Sequence, residues 1–362
     1  MVRDFAQSEL LPHSAEWDRN NTFPEAALKQ AAALGLYGVT VDDEWNGAGS
    51  DAVSYALAIE ELAAGDGATS TIISVTNLVA RILYRFGNES QKEKYLRPAA
   101  RGDLLGCFCL TEPHAGSDAS EIRTRASMDK GQYLLNGTKQ FVTSGQNADI
   151  AVVFAVTDPD AGKKGISAFL VNTNNPGYKV SRVEEKLGQH ASDTAQVILE
   201  NCRVDADNLI GEPGEGYKIA LSNLEFGRIG IASQCVGMAQ AAFNYAREYA
   251  RERTSFGQTL DRHQAIGFRL ADMATQIEAA RLMVVNAAAL QDAGQPSLKQ
   301  ASMAKLFASE MAEKVCSDAI QILGGYGYLK DYPVEQIYRD VRVAQIYEGT
   351  SDIQKMVISR HI

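Results

Sequence analysis

The chain is expected to fold as an α+β protein in three consecutive units: a helical N-terminal domain (1–104), a β-barrel-like middle domain (105–211) and a C-terminal antiparallel four-helix bundle (212–362). Three observations lead there. Helical apolar periodicity fills the first unit, short β-prone runs broken by turn residues fill the second, and long apolar stripes at helical spacing fill the third. Strands and helices do not alternate, which argues against a parallel-sheet dinucleotide fold.

In the first unit Pro24 precedes Glu25-Ala26-Ala27-Leu28, and proline suits a helix start because the N–H it lacks would be unpaired there. Leu57, Glu60, Glu61 and Leu62 lie in an alanine-rich helical run, and Gly35, Gly47, Gly49 and Gly87 punctuate the segment. The character changes near Leu104. Residues 105–110, 150–156, 166–171 and 195–199 are short apolar runs bounded by Gly, Asn, Asp and Pro, which reads as a small antiparallel barrel or sandwich. Asn136-Gly137 is expected to turn a hairpin, since both residues tolerate positive φ.

Helical spacing returns after the turn-rich stretch 211–216. Ile231, Cys235, Met238, Ala242, Tyr245 and Tyr249 share one helix face. Ile266, Leu270, Met273, Ile277, Ala280, Val284 and Ala287 share a second, and Phe307, Met311, Val315, Ala319 and Ile322 a third. Long striped helices with short connections pack most simply as an antiparallel bundle.

At 362 residues the chain exceeds what one hydrophobic core fills. Its 45% apolar and 22% charged residues are those of a globular protein, and no apolar run approaches the roughly 18 residues that span a bilayer. A net charge of −10 without a basic block disfavours nucleic acid and anionic membrane as partners. Cys107, Cys109, Cys202, Cys235 and Cys316 are scattered, so free thiols in a reducing compartment are expected. The residues after Met1 lack a signal-peptide apolar core. A reducing compartment such as a bacterial cytoplasm is the expected location. No metal is expected, because no second His or Cys accompanies His263 at ligand spacing.

Several stretches carry chemistry. Tyr338–Gln354 reads Y-R-D-V-R-V-A-Q-I-Y-E-G-T-S-D-I-Q, and Gly349 and Thr350 interrupt the helical pattern before them. Glu348 therefore belongs at a helix end or in a short loop, where functional side chains concentrate; a simple helix cap is the plainer reading. The run C-L-T-E-P-H-A-G-S-D (109–118) leaves a strand for a hydroxyl-rich loop able to donate to phosphates or a polar ring, with a capped turn as the alternative. Phe141-Val142-Thr143-Ser144-Gly145 reads as a strand end. Glu225 stands three residues before Arg228, the spacing of a helical ion pair. Arg253, Phe256, His263 and Gln264 make a basic, aromatic turn after a helix, where the dipole favours a cation.

The segment I-Y-E-G-T-S-D-I-Q is similar to the one that carries the catalytic base of the acyl-CoA dehydrogenases. L-T-E-P-x-A-G-S-D resembles that family's flavin signature, Q-I-L-G-G-Y-G-Y (321–328) matches it too, and the resemblance runs from about Val2 to Ile362. It implies FAD as cofactor, bound by Phe108, Leu110, Thr111, Gly116, Ser117, Phe141, Val142 and Thr143, with Thr350, Ser351 and Asp352 returning to it. Arg253, Phe256, Gln264, Gln321, Gly324 and Gly325 would hold the FAD of a neighbouring subunit, which implies a homotetramer built as a dimer of dimers. Ser117, Glu225, Phe226, Gly227, Arg228, Tyr347 and Gly349 would border an acyl-CoA, with Phe226 and the helix over 74–82 as candidates for the pocket floor.

The resemblance is closest to short-chain and short-branched-chain members. Two positions depart from the family's habit: Phe141 stands where tryptophan is usual, and Glu225 where aspartate is more common. Some members carry their base where this chain has Gly227, which leaves Glu348 as the candidate. The implied reaction is α,β-dehydrogenation of the thioester to a trans-2-enoyl-CoA, with Glu348 removing the α-proton and a hydride passing to N5 of FAD. Electrons would leave through an electron-transferring flavoprotein. If the source is a eukaryote, the resemblance implies the mitochondrial matrix. An acyl-CoA oxidase would share this site, and a non-catalytic assembly relative would lack the glutamate or the flavin residues.

Overall fold

A computed structural model describes all 362 residues. The first unit holds α1 (Val2–Phe5), α2 (Leu11–Asn20), α3 (Glu25–Ala33), α4 (Ala52–Gly65), α5 (Gly67–Phe86), α6 (Glu89–Gln91) and α7 (Arg97–Arg101). Asp66 separates α4 from α5 with an extended backbone, and its carboxylate accepts the Thr69 N–H at 2.7 Å, capping α5. α5 is buried along most of its length, because α8 covers one side and the sheet the other.

The middle unit contains β1 (Gly106–Cys109), β2 (Arg125–Asp129), β3 (Gln132–Thr143), β4 (Ile150–Val156), β5 (Ile166–Asn172), β6 (Tyr178–Val183), β7 (Thr194–Asp205) and β8 (Leu209–Ile210). They form one sheet in the order β6-β7-β3-β2-β4-β5-β8, with β1 joined to β4. Successive side chains of a strand point to opposite faces. In β4, Ile150, Val152 and Phe154 pack toward α5, while Ala151, Val153 and Ala155 fill the sheet's own interior. Burial on both faces explains why this strand reads as an unbroken apolar run.

Two expectations are corrected here. The sheet is not purely antiparallel, because β1 runs parallel to β4 and β2 meets β4 in parallel at Arg125. Asn136-Gly137 does not turn the hairpin, which falls instead at Lys130-Gly131, both with positive φ. β3 continues through Asn136-Gly137 with a shift of register. Tertiary packing overrides turn propensity there: a Cβ on residue 137 would lie 2.3 Å from the Thr124 hydroxyl, and the Asn136 side chain accepts the Asn201 N–H at 2.8 Å.

The third unit comprises α8 (Gly216–Glu252), a small hairpin of β9 (Thr254–Ser255) and β10 (Gln258–Thr259), then α9 (Gln264–Asp292), α10 (Leu298–Leu323), α11 (Pro333–Val341) and α12 (Ser351–Ser359). α8, α9 and α10 bury most of the three stripes; Tyr249, Ile266 and Leu270 are half-buried, and Tyr245 and Phe307 remain on the surface. α4 packs on α8 and α9, so the two helical units share one continuous core. All five cysteines are free and buried. No helix is long and apolar enough to cross a membrane.

Candidate active site

Where α5, α8, the sheet and the turn before α12 converge, a cleft of about 210 Å³ opens. α5 supplies Thr71, Ser74, Val75 and Leu78, and α8 supplies Leu221, Leu224, Arg228 and Ile231. From the sheet side come Phe108, Leu110, Thr111, Gly116, Ser117, Gln140, Phe141 and Thr143. Tyr347, Glu348, Gly349 and Ile353 close it.

The turn that carries Glu348 is built from a conflict between neighbouring segments. α11 decays through a short 3-10 turn at Arg342–Gln345, and α12 restarts at Ser351 with the Thr350 hydroxyl accepting the Ile353 N–H at 3.3 Å. Between them Glu348 takes φ +54° and Gly349 φ +91°. A non-glycine residue in this region costs on the order of 1–2 kcal/mol. Gln354 offsets that cost, donating its amide to the carbonyl oxygens of Glu348 (3.1 Å) and Gly349 (2.9 Å).

The Glu348 carboxyl is buried against the cleft, and its Oε2 has no hydrogen-bond partner. Burial pushes its pKa up to about 7, although the Arg228 guanidinium and the Lys305 ammonium both pull it down. Arg228 is 7% exposed and donates to the Ser302 hydroxyl at 3.1 Å, while its Nε is unpartnered. Ser351 Oγ and Gln354 Oε1 are buried and unpartnered as well. Buried polar groups are normally paired, and of these four orphans Glu348 and Arg228 line the cleft, where a ligand's hydrogen-bonding groups would reach them. Tyr347 faces away from solvent and donates its hydroxyl to Gln234 Oε1.

The opposite lip is stiffened from beneath. Lys139, 0% exposed, donates to Leu110 O at 3.1 Å and to Glu112 Oε1 at 2.7 Å, and Glu112 also accepts the N–H groups of Arg123 and Thr124. The Gln140 N–H donates to Thr111 O at 2.8 Å, tying the loop to β3. Phe141 is held at φ +57° with 65% of its surface exposed, beside the hydroxyls of Thr111 and Thr143. An aromatic face left open next to hydroxyls suits a flat, polar-edged ring.

Other expected site residues lie elsewhere. The Val142 side chain is buried in the sheet's interior and does not line the cleft. Phe226 is fully buried, stacked on Tyr55 with ring centroids 4.5 Å apart and under the Arg81 guanidinium. Glu225 accepts the Ser297 hydroxyl at 2.6 Å and does not line the cleft. Gly227 faces Glu348 directly. Asp352 is exposed beyond the cleft. Arg253, Phe256, Gln264, Gln321, Gly324 and Gly325 sit around the β9–β10 hairpin and the C-terminal end of α10; Arg253 lies over the Tyr326 ring at 5.8 Å, and Phe256 is 97% exposed. No cluster of His, Cys, Asp and Glu could hold a metal ion.

Sequence reasoning passed over Gln140, Leu221, Leu224, Ile231 and Ile353, whose roles as wall residues come only from packing. It also passed over Lys305, which carried a signal: a lysine set among Ala301, Ala304 and Ala308 in a stripe that should be buried.

Helices packed against a sheet, with a buried carboxylate and an exposed aromatic ring facing one cleft, are the layout of an enzyme. The particular family follows from comparison: the chain belongs to the acyl-CoA dehydrogenases, whose family models match it as N-terminal domain over 1–103, middle domain over 107–202 and C-terminal domain over 214–362. It is 50% identical over 364 residues to an acyl-CoA dehydrogenase of Bacillus subtilis (strain 168), covering 100% of this chain and 96% of that protein. It is 47% identical over 361 residues to the mitochondrial short-chain specific acyl-CoA dehydrogenase of Homo sapiens, covering 99% and 88%. A chain in the solved structure of the electron transferring flavoprotein of Acidaminococcus fermentans matches with a TM-score of 0.98 and 44% identity, covering 99% of this chain and 95% of that one.

Proposed function

We propose that this chain dehydrogenates a short or short-branched acyl-CoA between its α and β carbons, with Glu348 as the base that removes the α-proton. Family membership makes the chain an oxidoreductase acting on CH–CH bonds, with FAD as its cofactor. The observation that carries the reading of Glu348 is its unpartnered, buried carboxylate, aimed into the cleft from a turn that other residues hold in an unfavourable backbone conformation.

The residues present fit a flavin. Phe141 offers a face, the Thr111 and Thr143 hydroxyls offer hydrogen bonds at its edge, and the Gly116 backbone leaves room for close approach. When bound, FAD supplies the hydride acceptor for the β-hydrogen. This chain's own residues do the rest. Glu348 receives the α-proton, and a pKa near 7 keeps the carboxylate available at neutral pH while leaving it basic enough to act. The walls from α5 and α8 exclude water from the acyl chain, and Arg228 favours the ionised form of the Glu348 carboxylate before it takes the proton.

Glu348→Gln tests this reading. FAD and acyl-CoA should still bind, while anaerobic flavin reduction falls by at least the ~10²–10⁴-fold typical of losing a general base. Near-normal reduction would remove Glu348 from the mechanism. A panel of straight and branched thioesters in the same assay sets the substrate's length and branching.

Electron-transferring flavoprotein is the proposed acceptor, consistent with the resemblance to the Acidaminococcus fermentans structure. Hydrogen peroxide formed in step with acyl-CoA consumption would support an oxidase instead. A homotetramer is proposed because Phe256 and Tyr328 are exposed aromatics beside Arg253 and Gly324-Gly325, a surface suited to a neighbour's cofactor. Arg253→Ala should weaken flavin retention, and a fully flavinated monomer would exclude the shared site.

A further inference from the structure

We infer that Lys305 is a positioning residue for the base: its ammonium clamps the turn that carries Glu348 and holds a positive charge against the carboxylate. The inference rests on the reading of Glu348 as the base. Lys305 lies in α10 on a face shared with Ala301, Ala304, Ala308 and Ala312, and like them it is 0% exposed. Lysine is almost never fully buried unless paired. Here no carboxylate stands within the 4.0 Å of an ion pair. The ammonium instead donates to the carbonyl oxygen of Gly349 at 2.6 Å.

That carbonyl is the one Gln354 also reaches, so Lys305 and Gln354 grip the Gly349–Thr350 peptide, one residue past Glu348, from two elements, α10 and α12. The grip explains how consecutive residues at φ +54° and +91° keep one conformation. A hydrogen bond alone does not explain the charge, because a buried ammonium without a carboxylate partner is unfavourable. A neutral donor would hold the carbonyl at lower cost.

What the charge faces supplies the reason. Around Lys305 stand Glu348 and, from α8, Cys235 and Arg228; the Glu348 carboxylate favours its ionised form, Arg228 opposes it, and the Cys235 thiol, which burial pushes up to about 12, is neutral there. Burial brings Lys305 down to about 8. Around Glu348 stand Arg228 from α8 and Lys305 from α10, both favouring the carboxylate, while Tyr55 from α4 and the adjacent Tyr347 also feel its charge. Lys305 therefore counters the burial that raises Glu348, and it does so through the same turn it holds in place. Removing the ammonium should raise the Glu348 carboxyl further and loosen its aim.

The test compares Lys305→Met and Lys305→Gln with Glu348→Gln as holoenzymes. The readout is washout of deuterium from perdeuterated acetyl-CoA, which has α-hydrogens but no β-hydrogen to give, followed by NMR across the neutral pH range. Flavin content and melting temperature are measured alongside. Lys305→Met should keep its flavin, lose at least ~10-fold in exchange rate, and show its acid limb displaced to higher pH. Lys305→Gln retains an N–H for the Gly349 carbonyl without the charge, so it should recover part of the rate on the alkaline side with the limb still displaced. If the methionine variant does not fold, the limb of the glutamine variant decides. Wild-type rates and limbs in the Lys305 variants, with Glu348→Gln inactive, would overturn the role of Lys305 alone. Normal exchange by Glu348→Gln would overturn the base, and this inference with it.

Discussion

The Glu348 carboxylate occupies the space that a side chain at residue 227 would need: a Cβ built on Gly227 would stand 2.5 Å from Glu348 Oε2 and 3.0 Å from its Cδ. A helix and a turn more than a hundred residues apart in sequence thus share one small volume. Either position can present a carboxylate into the cleft, but not both at once.

Gly227→Ala follows from that relationship. Alanine is worth about 1 kcal/mol over glycine inside a helix, and the atom it would strike is the far end of a flexible side chain, so the fold should survive with near-normal stability. Glu348 must swing aside, so flavin reduction by acyl-CoA should fall well below wild type with FAD retained. A melting curve together with stopped-flow reduction checks both parts; unaltered reduction would show that the carboxylate's position is not critical.

The acid limb of kcat/KM should centre near 7. Burial raises the Glu348 carboxyl to about 7, and a base works ionised, so activity should rise with pH through that region. A limb near the ordinary carboxylate range would mean that the site is wetter than its geometry indicates.

Lys139→Met should destabilise the protein by ~3–5 kcal/mol, because it leaves the Glu112 carboxylate buried without its cation. Burial alone would raise Glu112, but Lys139 and the Thr124 and Arg123 hydrogen bonds outweigh it and hold the carboxyl below its usual range. The variant should also shed FAD more readily, since Lys139 holds the Leu110 carbonyl at the base of the Thr111 loop. Adding Glu112→Gln should recover part of the loss in a denaturant titration; simple additivity would argue against a coupled pair.

Asp340→Asn should stabilise the protein increasingly as pH rises. Burial pushes Asp340 up to about 8, despite the Gln189 N–H that it accepts. An unfolded aspartate ionises near 3.9. Between those values the folded state holds a proton that the unfolded state has lost, so the wild type loses stability across the window, fully by the time pH passes the folded value. Asparagine removes that slope. Melting temperatures of the two proteins should diverge from about pH 4 to about pH 8 and run parallel above; a constant difference would sink the argument.

Much of this molecule is local and was legible in the sequence. The 3.6-residue stripes of α8, α9 and α10 mark buried faces whatever those faces meet, because helical geometry alone sets which side chains align. The apolar runs of β4 and β5 likewise mark strands buried on both sides. Gly349 and Thr350 disclosed that Glu348 stands outside a helix, since each residue interrupts the pattern by its own chemistry.

Tertiary structure decided the rest. Asn136-Gly137 has the propensity of a turn, but Thr124 and Asn201 pack against it as strand, and a few close contacts outweigh a local preference. Of the two candidates for the pocket floor, Phe226 is drawn behind the wall by Tyr55 and Arg81, while the helix over 74–82 reaches the cleft through Ser74, Val75 and Leu78 and, beyond the expected range, Thr71. That Lys305 meets the Gly349 carbonyl, and that Gly227 makes room for Glu348, depends on where α8 and α10 cross the final turn. Such meetings are set by how whole elements pack, because burying a charge or opening a gap is favourable only when a partner arrives from elsewhere in the chain.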